Sequence, residues 1–405
     1  MNLIPIKEAK QMVMASVIKG RPVALNLKKA LNLVCAEDVI SKIDIPYFAN
    51  SQMDGFALSI TNNTRFPLSL DIIETVFAGS RPKKTLDANS SARIFTGAMV
   101  PEGANAVAMQ ENCEFDTTEK RVTVNVPIKI GENIRPVGDD IKRGATIAKA
   151  GAVITPAVAG LMASCGISEV QTIKLPKIGI LSTGSELMDF GKKLAPAKIY
   201  DSNRVMLINL IRQMNLKAFD FGIIKDDDKI LNRMLKIYST KVDVLIITGG
   251  VSVGDADFVK TTIKKLCPKN SSSLQLAIKP AKPFAFGTNS NCVFFGLPGN
   301  PVSAAVSFEL LVKPTLMKMT GHESFDTEYI RVLAKQDIPS HNDYKTHYLR
   351  ANVKKDPKGN YVGNLVEKQG SHNLFSLAYS NALAEIPNRR SIKQGQYFKA
   401  ILLNR

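Results

Sequence analysis

Val242-Asp243-Val244-Leu245-Ile246-Ile247-Thr248-Gly249-Gly250-Val251-Ser252-Val253-Gly254-Asp255-Ala256-Asp257 is an apolar, β-branched run that stops at two glycines, with a third glycine and two aspartates close behind. Such a run reads as a strand buried on both faces of a parallel sheet. Glycine lets the chain turn sharply and approach a ligand. In open parallel α/β sheets, ligands bind just beyond the carboxyl ends of the strands. This loop is therefore expected to border a site, with Asp255 and Asp257 as candidates for holding a metal or moving protons.

The same pattern occurs twice more. Lys177-Ile178-Gly179-Ile180-Leu181-Ser182-Thr183-Gly184-Ser185-Glu186 is a strand, a glycine turn and a carboxylate. Cys292-Val293-Phe294-Phe295-Gly296-Leu297-Pro298-Gly299-Asn300-Pro301 is a strand, a glycine turn and a helix start, with Asn300 suited to the N-cap and Pro301 to the first helical position. Val302, Val306, Leu310 and Leu311 follow at helical spacing. One glycine loop is ordinary punctuation in an α/β domain. Three, each with a polar side chain, point to a site where strand ends converge. They nominate Ser182, Thr183, Gly184, Thr248, Gly249, Gly250, Ser252, Gly254, Pro298, Gly299, Asn300 and Pro301 for substrate binding. The chain has no G-x-x-x-x-G-K-[ST] loop and no G-x-G-x-x-G fingerprint, so kinase, P-loop ATPase, nicotinamide and flavin chemistry have no support.

The charged residues near these loops carry both signs. Glu186, Asp226, Asp227, Asp228, Asp255 and Asp257 follow expected strand ends or turns, and at least one of the three consecutive aspartates is expected to be a solvated turn residue. Lys279 and Lys282 lie in the proline-stiffened Ala277-Ile278-Lys279-Pro280-Ala281-Lys282-Pro283-Phe284. A phosphorylated ligand with Mg²⁺ reconciles the two signs, because Mg²⁺ bridges a few carboxylates to substrate phosphates.

Taken together, Asp201-Ser202-Asn203, Ile223-Ile224-Lys225-Asp226-Asp227, Thr248 to Asp257 and Gly296-Leu297-Pro298-Gly299-Asn300-Pro301-Val302-Ser303 resemble the MoeA family, the molybdenum insertases of molybdenum cofactor synthesis. Ser51-Gln52-Met53-Asp54-Gly55-Phe56-Ala57, Arg93-Ile94-Phe95-Thr96-Gly97-Ala98, Asn133-Ile134-Arg135 with Gly138-Asp139-Asp140-Ile141, and Gln369-Gly370-Ser371-His372 extend the resemblance over essentially the whole chain. The resemblance implies that molybdate is inserted into adenylylated molybdopterin, with Mg²⁺-dependent hydrolysis of the adenylyl bond, giving molybdenum cofactor and AMP. It carries functional residues onto Asp54, Thr96, Asp140, Glu186, Asp226, Asp257, Lys279, Arg350 and Ser371. Of these, Asp54, Thr96, Glu186 and Asp257 form the catalytic set, and Glu186, Asp226 and Asp257 the metal set.

The resemblance further implies an elongated homodimer, in which the strand-end loops of one subunit face the Asp54/Thr96 lobe of the other. Molybdopterin adenylyltransferase and apo-molybdoenzymes are the implied partners. Two positions depart from the family pattern: Gln275 stands where a lysine is frequent, and Ala281 where glycine is frequent. The adenylyltransferase that makes the substrate shares the fold of residues 175–325. Its Thr-Gly-Gly loop continues with a threonine and a glycine, unlike Val251-Ser252-Val253-Gly254-Asp255 here. A non-catalytic scaffold role is a second alternative, but no added tail or proline-rich linker supports it.

At 405 residues, several domains are expected. The fold class is α/β multidomain: a doubly wound molybdopterin-binding domain over 175–325, a β-rich lobe over 46–141, and a C-terminal β-barrel-like domain over 326–405. The resemblance adds a discontinuous linker domain from 1–45 and 142–174. Helices are expected over Ile6 to Leu33 with Pro22 interrupting, from Pro156 to Cys165, and from Ser202 to Met214. No run is long enough for a membrane span, and the N-terminus shows no signal peptide. Five scattered cysteines without C-x-x-C fit a reducing cytoplasm and argue against zinc or a disulfide framework. His341 and His347 are expected at the surface. The formal charge is +17, yet aromatics are 7% and tryptophan is absent, so a nucleic-acid stacking platform has little support. Neither nucleic acid nor membrane is an expected partner.

Overall fold

The computed structural model describes residues 3–116, 118–251 and 258–403. Ser252, Gly254, Asp255 and Asp257 lie outside the described residues.

The central sheet has six strands, ordered Ala218–Ile224, Ile178–Thr183, Val244–Thr248, Val293–Leu297, Pro283–Thr288, Ser271–Gln275. The first four run parallel, Pro283–Thr288 pairs antiparallel with them, and Ser271–Gln275 pairs antiparallel with Pro283–Thr288. Alternate residues of a strand face opposite sides, and here both sides are apolar. Ile180, Ile246 and Phe295 join one core cluster with Leu207, Ile211, Val302 and Val306 from helices Ser202–Gln213 and Pro301–Ser307. Leu181, Leu245, Ile247 and Phe294 join another with Leu231, Leu235, Val259 and Ile263 from helices Asp228–Tyr238 and Phe258–Leu266. Burial on both faces explains why Val242 to Thr248 reads as a continuous apolar run rather than an alternating one.

Register places the three glycine loops at one level. Ser182 pairs with Thr248, and Thr248 pairs with Leu297. Each loop therefore leaves the sheet from the same edge.

The N-terminal segment departs from its expected helical course. A helix covers Ile6–Ala15 and buries Ala9 and Val13 in the α/β core. Pro22–Asn26 is then a strand, antiparallel to Glu169–Ile173. Its side chains alternate between exposed and half-buried, a period-2 pattern that a helix cannot satisfy, and proline is tolerated as a strand's first residue. The β-rich lobe is a six-stranded sheet ordered Ala106–Met109, Gly55–Leu58, Ser90–Ile94, Leu68–Val76, Arg121–Val124, Cys113–Asp116.

The C-terminal strands close into a five-stranded barrel. Thr346–Lys355 pairs with Tyr361–Leu365, then Ile330–Ala334, Tyr397–Leu402 and Ala382–Ile386 follow, and the last returns to Thr346–Lys355. One further pairing positions the site. Ile278 and Lys279 run parallel to Thr346 and His347, so the basic loop of the α/β domain is stitched to the barrel.

Candidate active site

The loops after the three parallel strands open onto one cleft of about 920 Å³, at the upper end of small-molecule sites. Ser182, Thr183, Gly184, Thr248, Gly249 and Gly250 line it, as do Pro298, Gly299, Asn300 and Pro301. Gly249 has φ +94°, and a Cβ there would lie 2.1 Å from the Thr183 carbonyl oxygen. Only glycine fits both the conformation and the contact. A Cβ at Gly299 would meet only the Gly249 Cα, at 3.7 Å, so that glycine is not sterically required.

One residue that the loop pattern did not nominate ties these loops together. Asp201 caps helix Ser202–Gln213 by accepting from the Arg204 amide. Two residues into that first turn, Asn203 Nδ2 donates to Thr248 Oγ1 at 2.8 Å and to the Gly299 carbonyl at 2.7 Å. Thr248 Oγ1 in turn donates to the Pro298 carbonyl at 3.1 Å. The helix start is anchored by Arg204, whose guanidinium bonds Asp201 at 2.9 Å and Asp220 at 2.5 Å, and also Asp189. The side chain of Asp201 is 1% exposed and that of Arg204 6%. An asparagine just past an aspartate cap is a poor helix former, and that was the available signal for Asn203.

The three consecutive aspartates have three separate tasks. Asp226 lines the cleft; its Oδ1 accepts from Thr183 Oγ1 at 2.5 Å and its Oδ2 from the Ser185 amide at 3.3 Å. Asp227 caps the helix Asp228–Tyr238 by accepting from the Ile230 amide. Asp228 pairs with Lys265 at 2.7 Å. Glu186 also lines the cleft, and its carboxylate folds back so far that a Cβ on Gly184 would lie 2.8 Å from Oε2.

The cleft also has a basic lining. Lys279, Lys282 and Lys345 line the cleft with His341 and His347. Ala281 sits between the first two with φ +77°, in the left-handed region that glycine favours. Gln275 does not line the cleft. His347 corrects a sequence expectation: it is 3% exposed rather than at the surface. Its ring stacks on His341 and bonds Asp343, and its strand pairs with Ile278–Lys279, contacts that no local pattern announces.

The barrel supplies the remaining wall through Gln369, Gly370 and Ser371. Asn300 occupies the N-cap position, but its side chain makes no cap bond and instead donates to Ser371 Oγ at 3.2 Å. Arg350 does not line the cleft. It is fully buried, and its Nη2 donates to the carbonyls of Gly370 at 3.0 Å and Lys368 at 3.3 Å, while Nε donates to Ser376 Oγ at 3.1 Å. It braces the 368–371 loop from behind. Burial without a carboxylate partner lowers its pKa to about 10, and Nη1 has no hydrogen-bond partner.

Asp54, Thr96 and Asp140 also lie away from this cleft. In the lobe, Asp54 Oδ1 accepts from both the Thr96 amide and the Thr96 hydroxyl, each at 2.7 Å. The amide first, and then the hydroxyl, hold the Asp54 carboxyl below its ordinary range. Thr96 and Asp140 are exposed. Among the described residues, no three His, Cys, Asp or Glu side chains form a metal-binding group, and no helix is long and apolar enough to cross a membrane.

Three family models match the chain in order: the MoeA N-terminal region (domain I and II) over residues 4–166, a probable molybdopterin binding domain over 179–318, and the MoeA C-terminal region (domain IV) over 331–403. A molybdopterin molybdenumtransferase of Haemophilus influenzae is 40% identical over 301 residues, 74% of each chain. One from Staphylococcus aureus strain Mu50 is 31% identical over 99% of this chain and 96% of its own. The crystal structure of a molybdopterin biosynthesis moeA protein from Pyrococcus horikoshii OT3 superposes with a TM-score of 0.81 at 28% identity, covering 99% of this chain and 100% of that one.

Proposed function

The chain belongs to the MoeA family and is a transferase that inserts molybdenum into molybdopterin, and we propose that its cleft takes the adenylylated form of that substrate with molybdate, releasing AMP in a Mg²⁺-dependent hydrolysis. The observation that carries this reading is the register alignment of three glycine loops. The cleft onto which they open is lined by Glu186 and Asp226 and also by Lys279 and Lys282. A phosphoanhydride needs both: cations to receive its charge, and acids to hold a divalent ion between them.

The donors fit such an ion. Mg²⁺ is held by one or two carboxylates together with substrate phosphates and water, not by an all-protein cage. Glu186 and Asp226 provide that count at the 183–186 turn, with Asp257 as a third proposed ligand. Bound there, the ion would offset phosphate charge and polarise the bond to be cleaved. Thr183 and the Ser185 amide orient Asp226. Lys279 and Lys282 receive an anionic group, Ser182, Thr248, Gly249 and Gly250 shape the floor, with Ser252 and Gly254 as further proposed substrate-binding residues, and Pro298 to Pro301 with Ser371 form the far lip. Arg350 acts by bracing the Ser371 loop.

The homodimer belongs to the same proposal. Asp54, Thr96 and Asp140 are away from the cleft of their own chain, so a partner's lobe is needed to bring them to it. The cysteines, free among the described residues, support a reducing cytoplasm as the place of action, with substrate received from an adenylyltransferase and product passed to apo-molybdoenzymes. Reconstitution with adenylylated molybdopterin, molybdate and Mg²⁺ tests this, scored by AMP release and activation of an apo-molybdoenzyme. Both signals should require Mg²⁺ and vanish in Asp226→Ala. Activation without AMP release refutes the hydrolysis.

A further inference from the structure

The cleft's basic wall contains a histidine pair that the reaction as described does not use. The rings of His341 and His347 stack at 3.8 Å between centroids, with planes 3° apart. Both line the cleft beside Lys279 and Lys345. His347 is fixed, because Nε2 donates to Asp343 Oδ1 at 2.9 Å, and Asp343 Oδ2 also lies 3.6 Å from Lys345. His341 is not fixed in this way. Its Nε2 is shielded from solvent and has no hydrogen-bond partner, a state that costs free energy unless a ligand fills it. Arg389 does not compete, being bonded to Asn342 and Tyr344. Around the pair, the charged groups are therefore Lys279, Lys345 and Asp343, two positive and one negative.

We propose that His341 and His347 form, with Lys279 and Lys345, a proton-linked subsite for a tetrahedral oxyanion. The charge suits a dianion: two lysines line the cleft with the stacked imidazole pair, which gains charge when a proton arrives. Stacking two imidazoliums without an anion is unfavourable, so proton and anion bind together. The sign follows. Imidazoles carry charge at low pH, so affinity falls as pH rises through the histidine range. Burial, the His347 ring and Lys279 push the His341 pKa below its ordinary value, with Asp343 opposing; a bound anion pulls it back up, and binding takes up a proton. The oxyanion can be molybdate or the phosphate of the pterin substrate, which share this chemistry.

The inference rests on reading the cleft as an oxyanion-handling site. Calorimetry on the full-length protein with molybdate, and separately with a phosphate monoester, tests it in wild type, His341→Gln, His347→Gln and Lys279→Ala. His341→Gln should weaken one or both anions roughly three- to tenfold, the size of one hydrogen bond. Wild type should take up a proton with molybdate near pH 6.5, measured in two buffers of different ionisation heat, and His341→Gln should take up less. Loss confined to one anion identifies the occupant. If circular dichroism shows that His347→Gln does not fold, His341→Gln decides alone. Unchanged affinity and proton uptake in His341→Gln, with weakening in Lys279→Ala, overturns the inference and leaves the cleft reading intact. Binding that survives Lys279→Ala unchanged, or no binding in wild type, overturns both.

Discussion

At the strand ends, one amide of Asn203 holds two loops while Thr183 and Ser185 hold Asp226. In the β-rich lobe, Asp54 takes both of its side-chain hydrogen bonds from a single residue, Thr96, which faces solvent. The first arrangement is over-determined by one chain's own contacts. The second is a small exposed pair, held only within the lobe, and in the proposed dimer it meets a partner's cleft. The contrast separates residues whose loss damages the fold from residues whose loss damages only an encounter.

The largest effect on stability should come from the anchor beneath the cleft. Arg204→Met leaves the Asp201 carboxylate buried and unpaired, which typically costs about 3–5 kcal/mol. Urea unfolding should show it as a lower midpoint with an unchanged slope. Thr96→Val in the lobe should leave that midpoint in place, yet move the Asp54 pKa upward, because the hydroxyl that favours the carboxylate is gone. NMR titration would read this; below its pKa, Asp54 protonates and loses its contact with Thr96. Equal destabilisation by the two variants would erase the distinction between the regions.

Activity should separate them in the opposite sense. Asp54→Ala and Asp226→Ala chains should each be folded and inactive. Co-assembled, each heterodimer keeps one intact composite cleft, so statistical mixing in a two-fold dimer should restore roughly a quarter of wild-type turnover. Restoration can occur only if lobe and cleft come from different subunits. A mixture that stays inactive, or a monomer that is fully active in sedimentation, breaks the idea.

The strand ends were legible because their signals are local: β-branched runs stop at glycine, and proline follows Asn300. The doubly wound parallel part of the sheet and the helices at 156–164 and 202–213 follow from such patterns; the two strands added by antiparallel pairing do not. What escaped depends on partners far along the chain. His347 is buried on a strand that pairs with Ile278–Lys279, far along the chain. Asp226, Asp227 and Asp228 look alike in sequence and differ only through Thr183, Ile230 and Lys265. Arg350, nominated for substrate, is turned inward by carbonyls of the 368–370 loop, and no spacing rule predicts that. Pro22 reads locally as a break in a helix because its strand partner lies far off at Ile173.

A smaller effect is expected within the cleft. Lys279→Ala removes a charge-assisted contact, so anion affinity should fall by roughly one to two orders of magnitude at low salt. The loss should shrink as salt rises, because exposed ionic contacts are screened. Gln275→Lys should change little, since Gln275 does not line the cleft. A gain as large as the Lys279 loss would show that the cleft extends further along this strand.

The smallest effect concerns Ala281, and it tests how far over-determination reaches. Its φ of +77° costs a residue with a Cβ roughly 1–2 kcal/mol. Ala281→Gly removes that strain. It also adds about 0.5–1 kcal/mol of backbone entropy cost and withdraws a methyl that is only 3% exposed, worth about 0.8 kcal/mol. The terms oppose one another at similar size, so the unfolding free energy should shift by less than about 1 kcal/mol. The turn should persist, because the Leu276 amide still donates to the Lys282 carbonyl at 2.7 Å and closes it from both ends. Anion affinity measured by calorimetry should then stay within about fivefold of wild type, the upper end of what one added glycine's entropy allows. A loss as deep as that of Lys279→Ala would mean that the alanine itself, and not the contacts around it, holds the lysines in place, and the cleft would be no better supported than the lobe.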